Sequence, residues 1–247
     1  MPSEGGRIIR ANVPNAHIGS TFSASHVIPK NDSDKHVKAA ARVDAMLNRL
    51  FLEPTLGMGY PVENFPALGK IYDHVKAGDA EKLPFDFDFI GLQNYTREMV
   101  KKSIIPYIHA NFVKPKKRGV PPEDITEMGW EVYPEGIYHL LKKFAAYPQI
   151  KKILVTENGA SFHDTVTGEA VHDPRRTKYI QDYLAQILRA QQEGVPVKGY
   201  FVWTFMDNFE WREGYEPRFG LVHVDFETQK RTVKDSGLWY KDFLAGK

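Results

Sequence analysis

The sequence predicts an α/β protein built around a parallel sheet. Short apolar runs alternate with segments whose apolar residues recur every three or four positions, the pattern of strands each followed by a covering helix. The strand-like runs are apolar through most of their length, so they expect cover on both faces. A third observation bounds the sheet. Four strand–helix units are present, whereas a closed (β/α)8 barrel needs eight, although 247 residues would be long enough for one. An open four-stranded parallel sheet is one solution.

The first strand is "HIGSTFS", residues 17–23. Residues 35–51 follow as a helix, with Val37, Ala40, Val43, Leu47 and Leu50 at helical spacing. A loop rich in Gly and Pro, "EPTLGMGYPVENFP", leads to the second strand, "FDFDFIGLQNY", at 85–95. Residues 96–131 read as long and irregular. The helix at 134–147 places Ile137, Leu140, Leu141 and Phe144 on one face, and "KKILVTEN" is the third strand. Asp173 and Pro174 form a cap and first-turn signal for a helix carrying Ile180, Tyr183, Leu184, Ile187 and Leu188. "VKGYFVWTF", 197–205, is the fourth strand. A loop dense in aromatics and acids follows, then a hairpin, "GLVHVDFETQKRTVK", and a last helix ending near Phe243.

Composition narrows the function classes. Lys and Arg number 33 against 31 Asp and Glu, a balance that argues against a nucleic-acid footprint. The one dense basic cluster, "KPKKRG" at 114–119, reads as a solvated loop. There is no cysteine, which excludes a disulfide framework and a thiolate nucleophile. No apolar run reaches the ~18 residues of a membrane span. The first residues lack a signal-peptide core, so a cytoplasmic location is expected. Aromatic residues make up 13% of the chain, enough to line a pocket for a ligand with flat apolar faces.

In α/β folds reactive groups gather at the carboxyl ends of the parallel strands. The second strand ends in Gln93, Asn94 and Tyr95, and the third in Glu157 and Asn158. The fourth ends in Trp203, then Asp207, Asn208, Glu210 and Trp211. Carboxylates, a phenol and two indoles suit a carbohydrate: carboxylates accept from sugar hydroxyls, and the C–H face of a pyranose packs on an indole. Each piece also has a structural reading. Asn158–Gly159 is a strong hairpin signal, although "ASFHDTV" is a poor returning strand. Trp203 and Tyr95 could be ordinary core. "MDNFEW" is harder to absorb, because polar groups just past a buried strand cost stability unless they are used.

The stretches "VTENGASF", "GYFVWTFMDNFEWREGYEPRFGLVHVDFETQKRTVKDS", "DFDFIGLQNYT" and "MGWEVYPEGIYHLL" resemble, in order and separation, glycoside hydrolase family 1, the retaining β-glucosidases. The resemblance implies a (β/α)8 barrel and hydrolysis of β-glucosides or related oligosaccharides, with no metal or cofactor. It makes Glu157 the nucleophile of a T-E-N-G motif and Tyr95 the residue that orients it. Trp203, Glu210 and Trp211 would hold the sugar, and Phe219 would lie near the sugar's exposed end. Glu210 and Trp211, where phosphate-recognising relatives expect basic partners, favour an unphosphorylated sugar. One departure is Gln93-Asn94-Tyr95, where the family reads N-Y-Y.

A retaining glycosidase needs two carboxyl groups roughly 5–5.5 Å apart. The family's acid/base glutamate lies in a T-x-N-E-P motif, and no N-E-P exists in this chain. Leu52-Glu53-Pro54 follows a helix and matches a non-catalytic family segment, so no acid/base residue is assigned. Residues 1–247 are therefore expected to be the C-terminal half of the barrel, strands five to eight, with no further domain. The expected partners are a small β-glucoside and a second chain supplying the N-terminal half; no nucleic acid or membrane is expected. The alternatives are an inactive truncated gene product and a non-catalytic sugar-binding half barrel.

Overall fold

A computed structural model describes residues 2–247 of the chain. Four parallel strands form the central sheet: β1 (Gly19–Ser23), β3 (Phe89–Gln93), β6 (Ile153–Asn158) and β9 (Val197–Val202), paired in that order. Helix α5 (Glu135–Ala145) links β3 to β6, and α6 (Pro174–Gln192) links β6 to β9. The faces read from the sequence are the ones that bury. Ile137, Leu140, Leu141 and Phe144 of α5 join Ile180, Tyr183 and Ile187 of α6 and the inward residues of β3 and β6 in one core. Leu188, by contrast, is exposed.

Pro174 opens α6 as expected, because its missing N–H would be unpaired in the first turn anyway. Asp173 does not cap the helix with its side chain. Its carboxylate is drawn to Arg176, at 2.5 Å, and to the backbone N–H of Ser236, at 2.8 Å.

Two expectations are corrected. Residues 96–131 are not irregular throughout. Strands β4 (Arg97–Lys102) and β5 (Ala110–Phe112) pair antiparallel, and β2 (His26–Pro29) joins β4 in parallel. Val100 is the single fully buried position of β4 among charged neighbours, so the run shows no apolar alternation to read. This second sheet also explains the first long helix. Helix α2 (Asp34–Asp44), extended by a wide turn over Ala45–Arg49, packs Ala39, Ala40 and Val43 against Val100 and Ala110, leaving Val37 and Leu47 exposed.

The remaining elements are short or peripheral. Helix α1 (Pro2–Asn12) precedes β1, while α3 (Leu52–Thr55) and α4 (Asp79–Lys82) lie in the long connection to β3. A small hairpin, β7 (Thr165–Thr167) with β8 (Ala170–His172), precedes α6. The predicted final hairpin is β10 (Val222–Val224) with β11 (Arg231–Val233), followed by α7 (Asp235–Leu244).

Strands β1 and β9 are the edges of the central sheet. Beside β1 a cavity of about 570 Å³ opens among Phe22, Met46, Leu47, Leu50 and Phe51. On and beyond β9, Phe201, Phe205 and Phe209 are all more than half exposed. Both edges thus present apolar surface, the condition in which a sheet seeks further partners.

Candidate active site

Glu157 stands near the carboxyl end of β6, opposite Gln93 of β3 in the strand register. The pairing shifts on both sides of this position, at Leu92/Gln93 and between Val155 and Asn158. Such irregularities re-aim side chains at strand ends. Each carboxylate oxygen of Glu157 accepts one hydrogen bond: Oε1 from the Gln93 amide at 2.7 Å, and Oε2 from the Tyr95 hydroxyl. Burial raises the Tyr95 pKa, and the bond to Glu157 raises it further, so the phenol stays a donor. Its backbone carbonyl accepts from Tyr179 at 3.2 Å, which anchors the residue to α6.

The rest of the T-E-N-G motif has a structural explanation. Asn158 is fully buried. Its amide donates to the Asn94 carbonyl at 2.8 Å and to Tyr179 at 3.0 Å, and its Oδ1 accepts from Tyr200 at 2.8 Å. One side chain thereby ties β6 to β9, α6 and the residue following β3. At Gly159 a Cβ would fall 1.8 Å from the Trp203 carbonyl oxygen, so only glycine fits. The hairpin reading of Asn158–Gly159 is excluded, because β6 is flanked by parallel strands on both sides.

Glu210 completes the cluster. Burial raises its pKa, the Trp203 indole beside it works the other way, and the negative charge of Glu157 raises it again. The same charge field reaches Tyr95. Trp211 is 80% exposed, with a left-handed backbone at φ 42°. Phe219, expected near a sugar's exposed end, is only 3% exposed and packs behind Tyr95 and Trp130, with ring centroids at 6.4 and 6.1 Å.

Three side chains depart from, or add to, the sequence reading. Asp207, one of the polar residues of "MDNFEW", is consumed structurally: it accepts from Lys234 at 2.9 Å, from Gly220 N at 2.8 Å and from Arg218 at 3.3 Å. Trp130, 5.3 Å from Tyr95 between ring centroids, was not picked out among the pocket walls. Gln93 contacts Glu157 directly, and its departure from the family pattern was the available signal. Glu53 is buried and held by Arg49 at 2.6 Å and Tyr147 at 2.7 Å. Among the described residues no group of three or more acidic, His or Cys side chains could hold a metal ion.

The family described as glycosyl hydrolase family 1 matches residues 3–247. This chain belongs to that family. It is 38% identical over 240 residues to a 1,4-beta-D-glucan glucohydrolase of Thermotoga neapolitana, covering 96% of this chain and 53% of that protein. Beta-glucosidase A of Thermotoga maritima is likewise 38% identical, with 96% and 52% covered. Among solved structures, the AHE enzyme from Alicyclobacillus herbarius superposes with a TM-score of 0.92 at 37% identity, over 99% of this chain and 55% of that one. The family 1 β-glucosidase from Thermotoga maritima gives 0.89 at 35% identity, over 99% and 54%. The chain thus spans about half the length of the relatives it matches, and its parallel sheet is half of their barrel. No helix of the described residues is long and apolar enough to cross a membrane.

Proposed function

We propose that residues 1–247 form the nucleophile-bearing, C-terminal half of a retaining β-glucosidase. The observation that carries this reading is Glu157, fixed at a strand end by one donor on each oxygen, with Glu210 and Trp203 beside it. Glu157 attacks the anomeric carbon and forms a glycosyl ester as the leaving group departs; water then releases the sugar. Tyr95 and Gln93 orient the carboxylate. Trp203, Glu210 and Trp211 hold an unphosphorylated sugar, and Phe219 supports Tyr95 and Trp130 from behind.

The leaving group needs a proton from a second carboxyl group, roughly 5–5.5 Å from the nucleophile. Four further strand–helix units, completing the barrel against β1 and β9, would bring it. General acid–base help is typically worth ~10²–10⁴-fold, so the half barrel alone is a poor catalyst.

The test is turnover of an aryl β-glucoside by the chain alone and after co-expression with an N-terminal half carrying the T-x-N-E-P glutamate. Activity confined to the mixture is expected. In that mixture Glu157→Ala abolishes turnover, and added azide does not restore a retaining outcome. Near-normal turnover by the variant would remove Glu157 from the nucleophile's role. Activity of the chain alone would send the search for an acid to Glu210.

A further inference from the structure

The central sheet is covered on one face only. Ile90, Leu92, Ile153 and Val155 belong to the core that α5 and α6 complete. The opposite face carries Thr21 of β1, Leu154 and Thr156 of β6 and Phe201 of β9: the two threonines meet over Gly91, and Leu154 and Phe201 both reach over Gly199. Thr21 is exposed, and Phe201 is 56% exposed. A parallel sheet is ordinarily buried on both faces. Its edge strands, here β1 and β9, also keep unpaired backbone N–H and C=O groups.

The open face presents half of a pattern. A closed eight-stranded barrel fills its interior with layers of four side chains drawn from alternate strands. Thr21 and Thr156 stand on alternate strands at one level: their hydroxyls bond at 2.6 Å across Gly91 of β3, where a Cβ would fall 2.8 Å from Thr21. A two-fold axis along the strands turns this pair into a layer of four.

The two edges are unlike and complementary. On and after β9 stand three protruding rings, Phe201, Phe205 and Phe209. Beside β1 lies the hollow of about 570 Å³ walled by Phe22, Leu47 and Phe51. The outlying helices follow the same plan. Pro2 and Ser3 of α1 border the hollow, and α1 exposes Ile8 and Ile9. Tyr240 of α7 packs 6.5 Å from Tyr200 of β9, and α7 exposes Leu238 and Leu244. Rotation about the two-fold preserves strand direction, so β9 meets a second β1 in parallel. Rings then face a hollow, and α7 faces α1, at both seams.

We infer that two copies of this chain close into one eight-stranded barrel, β9 of each pairing with β1 of the other. The inference rests on the half-barrel fold and not on the glucosidase reading. The second copy fills the place that an N-terminal half would take. It brings a second Glu157, four strands away on the opposite wall, but no T-x-N-E-P glutamate. The pair is therefore a closed state that must open before an N-terminal half can dock.

The experiment is sedimentation velocity of the full chain at micromolar concentration. The wild type is expected at twice the mass of one chain. Phe201→Asp puts a charge on the face that a second copy buries and that a single chain leaves open to water. It should halve the mass and leave the far-UV circular dichroism unchanged. Thr21→Arg, on the other edge strand, should do the same. Ile104→Asp, 93% exposed in the turn between β4 and β5, should keep the double mass. Hydrogen exchange on the wild type needs no variant: the backbone amides of β1 and β9 should exchange as slowly as those of β3 and β6. A single-chain mass for the wild type overturns the inference, and so does fast exchange at either edge strand. A dimer that survives both edge variants, or that Ile104→Asp also dissociates, overturns it too. Assemblies larger than two copies would mean that the edges chain onward instead of closing, which overturns it equally. In each case the glucosidase reading keeps its own test, because turnover with an N-terminal half needs no second copy.

Discussion

Two groups of carboxylates lie past the strand ends of this protein, and they are built on opposite plans. Asp164, Asp173 and Asp207 are buried among cations. Arg176 bridges Asp164 and Asp173 at 2.9 and 2.5 Å, and Lys234 bridges Asp164 and Asp207 at 2.6 and 2.9 Å. The guanidinium of Arg176 spends its other donors on the carbonyls of Ala160, Phe162 and Arg218. This network locks the segments after β6 and β9 to α6 and the start of α7. Glu157 and Glu210 have a phenol, an amide and an indole for company instead. Charges neutralised by cations in a closed cage serve stability. Two acids that feel each other's charge and stay partly open to solvent cost stability, which marks them as candidates for a reactive site.

Breaking the cage is the most costly test of this contrast. Arg176→Met strands Asp164 and Asp173 in the interior, and removing one partner of a buried pair typically costs about 3–5 kcal/mol. Chemical denaturation should show that loss in full. A loss below about 1 kcal/mol, the value of a surface pair, would mean the cage is not closed.

Tyr95→Phe acts on the other group. It removes a hydrogen bond to a charged acceptor, worth about 1.5–3 kcal/mol. The expected readout is a loss of turnover in the reassembled enzyme with little change in unfolding midpoint, because the ring contacts with Trp130 and Phe219 persist. Equal damage to stability and turnover would make Tyr95 a packing residue.

Gly159→Ala probes the join between the two groups. The added methyl meets the Trp203 backbone carbonyl, which cannot swing aside as a side chain would. Overpacking of this kind typically costs about 1–3 kcal/mol, and the displaced Trp203 should weaken sugar affinity as well. Stability and affinity unchanged from wild type would show that the strand end can relax.

The smallest effect is a pH dependence. The Glu210 pKa is raised by burial and by Glu157. Between its ordinary unfolded value and its raised folded value, the native state binds more protons than the unfolded one, so stability falls as pH rises through that window. Glu210→Gln should therefore be more stable than wild type at pH 7, and the gap should close as pH falls toward 4.5. A gap that does not change with pH would show that Glu210 carries no such penalty.

Much of this was legible in the chain itself. The four central strands, α5, α6 and the last hairpin were readable from periodicity and turn signals, most clearly β3, β6, α5 and α6, which bury an apolar run or stripe. Glu157, Tyr95, Trp203 and Glu210 were readable as a group because strand ends in α/β folds converge. The second sheet was hidden, since β4 buries only Val100 fully among charged residues. Asp207 looked like a ligand residue because its partner Lys234 is 27 positions away. Arg118 looked solvated because its partner Glu131 lies across a loop.

By itself, then, the sequence determined the family, the parallel half barrel and the place of Glu157 at a strand end. These are written in local runs and in motifs of fixed spacing. Only the tertiary structure decided which carboxylates are caged and which are left unpaired, why Gly159 must be glycine, and that the basic turn is pinned to Glu131. Those facts depend on contacts between residues distant in the chain, and a charge takes its meaning from whatever folding brings beside it.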